Sequence, residues 1–458
     1  MTAVQHRSAQ EIGRTERGPR PVPPLGGQRA AAELSHVDTV LPNGLRVLAV
    51  RKDTVPLVEV RLSIPFAGTG ELHAATAEVL AETIVTGTAR RDRVAIDTEM
   101  ALIGGELSTV VDPERLAISA SALASGLPTL FDVLADLLTE ASYVDAEVAR
   151  ESARLIERLA IARTQPRTIA REALQRRRYG NHPVTREVPE AEDVAKVVPE
   201  AVRALHANAV LPRNSTLVIV GDVDPDAVVA ELERALGDWA SDKSANVLPD
   251  LPELTGGEVL LVPRPGAVQS QLRLSAQALR RTDPRYAHLQ LANLAYGGYF
   301  SSRLVENIRE DKGYTYSAHS GFEFTGNTAT LLVDADTATD VTAAALLETR
   351  YELARLGLVP PTADEVESVR QYAIGSLGIS ISSQTGLAGQ LSALAQAGLG
   401  FEWLAGHPER LAAVTAEEVA EAALDFFAPH RFTGVVVGDA DTIGRGLEAV
   451  GGVAIGAA

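Results

Sequence analysis

Val218-Ile219-Val220-Gly221-Asp222-Val223-Asp224 is written again 217 residues later (from 218 to 435) as Val435-Val436-Val437-Gly438-Asp439-Ala440-Asp441. Each copy is a short β-branched run stopped by glycine, the pattern of a buried strand that ends in a turn. The neighbours match as well. An alanine-rich helical stretch precedes each copy, at 199–209 and 415–427, and a further helical stretch follows, at 225–236 and 442–450. A unit of helix, strand, turn and helix written twice predicts two homologous halves.

The openings of the halves correspond too. Leu41-Pro42-Asn43-Gly44-Leu45-Arg46-Val47 reads as a turn feeding a strand. In residues 56–66, Val58, Val60, Leu62 and Ile64 alternate with mostly polar neighbours. The second half opens with Val259-Leu260-Leu261-Val262. In its residues 269–276, Ser270, Leu272, Leu274 and Ala276 alternate with Gln271, Arg273 and Ser275. Alternation of this kind predicts strands with one face in the core and one in water. Strands and helices mixed without strict alternation predict α+β, two domains each with helices covering a largely antiparallel sheet. The expected division is a flexible arm at 1–35, a first domain at 36–240, a linker at 241–257 holding Pro249, Pro252, Gly256 and Gly257, and a second domain at 258–458.

Composition narrows the chemistry. Apolar residues make up 46% of the 458 and aromatic ones only 4%, so the cores are built from Ala, Leu and Val. A net charge of -18 repels nucleic acid and anionic membranes. With no cysteine there is no disulfide, thiolate ligand or thiol nucleophile. Gly-x-Ser-x-Gly is absent as well. The first 35 residues carry five arginines and a proline-rich stretch but no apolar h-region, and no apolar run is long enough to span a membrane. The expected location is the cytoplasm.

A set of short motifs follows in order: the opening Leu41 to Val47, then Thr86-Gly87-Thr88, Ile103-Gly104-Gly105 and Asp112. The last is Ser301-Ser302-Arg303-Leu304 running through Ile308-Arg309-Glu310-Asp311-Lys312-Gly313-Tyr314-Thr315-Tyr316-Ser317. Over residues 36–450 this series resembles the pitrilysin/insulinase family of zinc peptidases, in its bacterial branch similar to mitochondrial processing peptidase. The resemblance implies a clam-like pair of domains. It also implies a helix carrying His-x-x-Glu-His, whose two histidines hold zinc and whose glutamate activates water, with a second glutamate from a later helix.

This chain departs from that pattern. Counting back from Thr86-Gly87-Thr88 sets the motif at Glu78-Val79-Leu80-Ala81-Glu82, with glutamates for both histidines and Ala81 for the base. Counting back from Pro166 sets the third ligand near Arg158, whose guanidinium cannot bind a cation. No two of the nine histidines lie within five residues of each other. Glu78 and Glu82, one turn apart, read as two solvated carboxylates, the reading favoured over a weak hard-metal site with His73. No metal or other cofactor is expected in this chain.

The other half of the family's site is kept. There the second domain supplies an arginine and a tyrosine seven residues apart that donate hydrogen bonds to the substrate carbonyl as it becomes an oxyanion, and Arg309 and Tyr316 match that spacing. Without the resemblance, Arg309 reads as a surface residue pairing with Glu306 and Glu310, and Tyr316 as a strand residue half in the core. Gly297, Gly298 and Ser301 are the candidate substrate contacts. Glu106–Val111 is the candidate edge strand on which the family holds peptide. The function implied is that of a non-catalytic subunit completing the site of a homologous zinc-bearing partner. Such a pair cleaves peptides or unfolded segments, with maturation of modified peptides as one case. The alternative is an inert scaffold or peptide-binding protein of the same fold.

Overall fold

Residues 34–455 are described by a computed structural model and hold two six-stranded sheets, so the arm read above lies outside the described residues except for its last two. The first sheet contains β1 (His36–Val40), β2 (Arg46–Arg51), β3 (Leu57–Pro65), β4 (Glu106–Val111), β5 (Arg115–Leu123) and β6 (Thr216–Gly221), in the order β1-β2-β6-β3-β5-β4. The second contains β7 (Val259–Pro263), β8 (Gln269–Gln277), β9 (Thr315–Thr325), β10 (Thr328–Ala338), β11 (Thr433–Gly438) and β12 (Val453–Ile455), in the order β12-β7-β11-β8-β10-β9. The two orders coincide when β7 is matched to β2, β11 to β6, β8 to β3, β10 to β5 and β9 to β4. The central pairs β2–β6 and β7–β11 are parallel and the pairs beyond them antiparallel. Only one outer strand differs: β1 runs antiparallel to β2, whereas β12 runs parallel to β7. Largely antiparallel sheets covered by helices make the fold α+β.

The repeated heptapeptide is the inner strand of each sheet, β6 or β11, and the glycine that closes it has a steric task. A Cβ on Gly221 would lie 2.4 Å from the Leu57 carbonyl oxygen, and one on Gly438 would lie 2.5 Å from Ser270 Oγ. Close strand packing, rather than a left-handed turn, therefore demands glycine at both positions. The aspartates that follow cap helices, but not at the same place. Asp224 accepts from the Ala227 amide and starts Pro225–Ala235, while Asp439 accepts from the Thr442 amide and starts Ala440–Val450.

Each half has its own apolar cluster. In the first, α1 (His73–Thr83), α2 (Leu127–Glu140) and α3 (Asp145–Ala162) pack with the sheet; α4 (Pro166–Tyr179) follows. In the second, α5 (Thr342–Leu358) and α6 (Ala363–Ser380) do so, and α7 (Gln384–Ala395) follows.

The helices α4 and α7 cross over. The first half's α4 lies on β8 and β11 of the second sheet, where Arg178 Nη1 donates to Ser275 Oγ (3.1 Å), Glu323 Oε2 (2.6 Å) and Thr330 Oγ1 (3.0 Å). The second half's α7 lies on β3 and β6 of the first sheet. There Gln384 Nε2 donates to the carbonyls of Val55 (3.0 Å) and Leu57 (3.2 Å), and Thr385 Oγ1 to Glu59 Oε1 (2.7 Å). This corrects the expectation of half-solvated strands. Glu59 is only 8% exposed and Ser275 0%, because the polar face of each strand lies under a helix from the other half.

Candidate functional site

The helix in the position of the family's metal motif, α1, is rich in alanine and buries Ala75, Ala77, Val79, Leu80 and Ala81. It ends in a 3₁₀ turn, Ile84–Thr86, before Gly87. Ala81 is tied to the edge strand through its carbonyl, which accepts from Thr109 Oγ1. Facing α3, Glu82 Oε1 receives Arg158 Nη2 at 2.7 Å. Glu78 is largely buried beside them. Burial pushes its carboxyl up to about 7, the neighbouring Glu82 and Glu187 add to the rise, and Arg158 opposes it. Neither group is the solvated carboxylate the sequence suggested: one is bridged by a guanidinium and the other is driven toward its neutral form. His73, the nearest imidazole, gives Nε2 to the Phe66 carbonyl at 2.9 Å, and burial lowers its pKa.

These residues do not fit zinc. A tetrahedral site needs three or four deprotonated donors converging on one point. The four positions offer a carboxyl near its protonated form, a carboxylate already paired, a methyl group and a cation. Among the described residues, no group of three or more His, Cys, Asp or Glu is placed to hold a metal ion.

The Arg/Tyr motif is built differently. Two π-helical stretches, Leu294–Gly298 and Glu306–Asp311, flank the short helical turn Arg303–Val305; widened turns of this sort re-aim side chains and recur at functional sites. Inward-facing residues fix the segment. Buried Arg303 makes a two-pronged bond to Glu365 (2.9 and 3.0 Å) and donates to the Val359 carbonyl (2.7 Å). Glu365 also completes the capping box of α6 with Thr362, so the motif is bolted to a helix start. Asn307 Nδ2 donates to Glu352 (2.7 Å), and Lys312 Nζ donates to Asn307 Oδ1 (2.7 Å).

With those residues holding the frame, Arg309 and Tyr316 come together at the surface. The Arg309 Cζ lies 5.5 Å from the centre of the Tyr316 ring and 4.6 Å from that of Phe300. Its one acidic contact is Glu310, at 3.5 Å from Nε, and among the described residues its guanidinium makes no hydrogen bond. Tyr316 is 89% exposed, not half in the core. The cause is a β-bulge: Ser317 pairs with Asp336 and Thr315 with Thr337, which leaves Tyr316 as the extra residue. Thr315 Oγ1 donates to the Asp336 carbonyl at 2.7 Å and braces the irregularity.

The neighbouring candidates separate. Ser301 is exposed at the same surface. The close approach that Gly297 permits is made by the protein itself, since a Cβ there would lie 2.9 Å from Ser320 Oγ and 3.1 Å from Leu304 Cδ2. Gly298 likewise abuts Asn293 Nδ2 at 2.9 Å. The strand Glu106–Val111 is β4, at the outer edge of its sheet. Reading by motif missed Phe300 and Arg303. Arg303 had a signal, its place in the Ser301-Ser302-Arg303-Leu304 motif ahead of an apolar pair, whereas Phe300 had only its place two residues after the glycine pair.

Residues 49–192 match the family model described as Insulinase (Peptidase family M16), and residues 196–372 match that described as Peptidase M16 inactive domain. An uncharacterized zinc protease of Mycobacterium tuberculosis is 27% identical over 349 residues, which are 75% of this chain and 77% of that protein. The uncharacterized zinc protease YmxG of Bacillus subtilis is 25% identical over 351 residues, 74% of this chain and 83% of that one. Among solved structures, a peptidase M16 inactive domain from Pseudomonas fluorescens superposes with a TM-score of 0.80 at 21% identity, covering 89% of this chain and 98% of that chain. A protease from Helicobacter pylori gives 0.81 at 16% identity, covering 89% and 100%. At those identities the two structures speak for the fold alone.

Proposed function

This chain belongs to the insulinase (M16) peptidase family as a member of its non-catalytic type, and from that premise we propose that it is the partner subunit of a homologous, zinc-bearing peptidase. The observation that carries the reading is the contrast between two sites in one chain. The metal positions Glu78, Ala81, Glu82 and Arg158 are filled by an ion pair and a methyl group, while Arg309 and Tyr316 stand together at the surface with their donors unspent.

In the assembly the partner would supply the zinc and the base that activate a water for attack on the peptide carbonyl. This chain supplies two donors. The Tyr316 hydroxyl and the Arg309 guanidinium N–H groups point hydrogen bonds at the substrate carbonyl oxygen and strengthen as it gains negative charge. Because both are anchored through a bulge and a braced π-helical turn, little reorganisation is needed at the moment of reaction. Ser301, beside them, contacts the peptide backbone. Substrates are peptides or unfolded segments, with maturation of modified peptides as one case. No helix among the described residues is long and apolar enough to cross a membrane.

The test is reconstitution. The chain alone and the chain mixed with a His-x-x-Glu-His homologue from the same source are assayed for bound zinc and peptide cleavage. The lone chain should hold no stoichiometric zinc and cut nothing, and mixing should restore cleavage. Arg309→Ala or Tyr316→Phe in the mixture should lower turnover roughly 10²–10³-fold, as loss of an oxyanion donor does. Full cleavage by both variants sinks the reading and leaves an inert scaffold.

A further inference from the structure

We propose that Phe300 is a positioning residue for Arg309: its ring holds the guanidinium toward Tyr316 and out of hydrogen-bonded ion pairs with the acidic groups of the same turn, leaving the in-plane N–H donors open. The inference rests on the reading of Arg309 as an oxyanion donor and extends it to a residue outside the Arg/Tyr spacing.

The geometry comes first. The Arg309 guanidinium is flanked by two aromatic rings, Phe300 at 4.6 Å and Tyr316 at 5.5 Å from Cζ to ring centre. Phe300 is 61% exposed and belongs to no apolar cluster. Its neighbour Tyr299 shows what the fold itself asks of an aromatic here: that ring packs at a tilt against Tyr372 of α6, centre to centre 5.0 Å. Of two adjacent aromatic residues, one packs the motif onto α6 and the other is turned to the arginine. Extended backbone at Tyr299 (φ −150°, ψ 173°), just after the π-helical Leu294–Gly298, sends the two side chains to opposite sides.

The need for such a device follows from the local charges. Glu306, Glu310 and Asp311 lie in the same turn as Arg309 and are exposed. Glu310 already stands 3.5 Å from Nε. A long, flexible arginine on an acidic surface closes such contacts into hydrogen-bonded ion pairs, which spend the N–H groups an oxyanion would need. An aromatic face restrains the same cation without that loss, because it attracts the flat face of the guanidinium and leaves the in-plane donors free. A carboxylate would orient Arg309 and disarm it; a ring orients it and leaves it armed.

The experiment compares Phe300→Leu and Phe300→Trp in the reconstituted pair, with Arg309→Ala run beside them. Phe300→Leu keeps bulk but loses the π-face, so kcat should fall about two- to fivefold, the size of a lost cation–π contact at an exposed site, with KM little changed. Phe300→Trp should retain wild-type kcat. A partner-free readout accompanies the kinetics: the Arg309 Nε–Hε resonance of the full chain, assigned by its loss in Arg309→Ala. It should lose its ring-current shift in Phe300→Leu and keep one in Phe300→Trp. Wild-type kcat in Phe300→Leu, or a raised KM at unchanged kcat, overturns the positioning role, the second outcome making Phe300 a substrate contact. Wild-type turnover in Arg309→Ala instead overturns the oxyanion-donor role of Arg309 on which this inference rests, so the two failures are told apart.

Discussion

The helices α2 and α5 occupy the same place in the two halves, each entered through a 3₁₀ turn after the matching strands β5 and β10. Their inward stripes correspond: Leu127, Leu130, Phe131, Leu134, Leu137 and Leu138 are buried in one, and Thr342, Ala345, Leu346, Thr349, Glu352 and Leu353 in the other. Their outward faces do not. Where α2 has the exposed Asp132 and, covered by the segment at 88–91, the buried Asp136, α5 has Leu347 and Tyr351, which are 52% and 54% exposed. In the first half Asp136 accepts from Thr88 (2.6 Å), Arg90 (2.7 Å) and Arg91 (2.8 Å) and ties down the segment that follows the metal-motif helix. In the second half the buried polar groups Arg303 and Asn307 are spent on the frame of Arg309. The inward stripes share their positions, while the buried charges are placed differently in the two halves. One half used them to lock a segment after a helix without metal ligands, and the other to brace a pair of donors.

That contrast can be broken most forcefully at Asp136. Replacing it by alanine leaves Arg91, only 11% exposed, short of its buried partner and should cost about 3 kcal/mol in denaturant unfolding. Burial pushes the Asp136 carboxyl up, but the bonds from Thr88, Arg90 and Arg91 outweigh it and hold it below the ordinary 3.8. Its contribution is therefore complete above that value and is lost as pH falls through the lower folded one, a loss the variant should not show. A cost no larger than that of a surface substitution would mean the two helix faces are energetically alike.

The crossed helices offer the next test. Arg178→Ala removes a buried cation bonded to Ser275, Glu323 and Thr330 and should cost about 2–3 kcal/mol; Gln384→Ala, which removes neutral bonds to backbone carbonyls, should cost about 1 kcal/mol. Equal losses would show that the two crossings hold the halves equally.

Glu78 gives a smaller effect of the opposite sign. Its folded value of about 7 lies above the ordinary 4.5, so native stability falls as pH rises across that interval. Glu78→Gln should match the wild type near pH 4 and exceed it by about 1–3 kcal/mol at pH 8, in thermal melts of the lone chain. Tyr351→Ser, at the exposed counterpart of Asp136, should change stability by less than about 0.5 kcal/mol.

Much of this was legible in the residues themselves. The repeat at Val218 and Val435 gave two halves, and the strands followed from alternation because periodicity reports which side of a strand avoids water. The residue types at the motif positions were equally plain: ligand chemistry belongs to side-chain identity, and no folding turns Ala81 into a base or Arg158 into a ligand. The Arg309 to Tyr316 spacing was countable for the same reason.

Tertiary structure alone decided the rest. Alternation cannot say what covers a polar face, so the burial of Glu59 and Ser275 waited on helices more than 90 residues away in sequence, α7 and α4. The carboxyl of Glu78 took its neutral bias from what packs around it. Tyr316 faces outward because one residue of β9 lacks a partner in β10, and Phe300 lies against Arg309 because a π-helical stretch turned the chain there. Sequence determined which groups exist and which local elements they join. Which groups meet, and in which protonation state, depended on contacts between distant segments, whose geometry no local pattern carries.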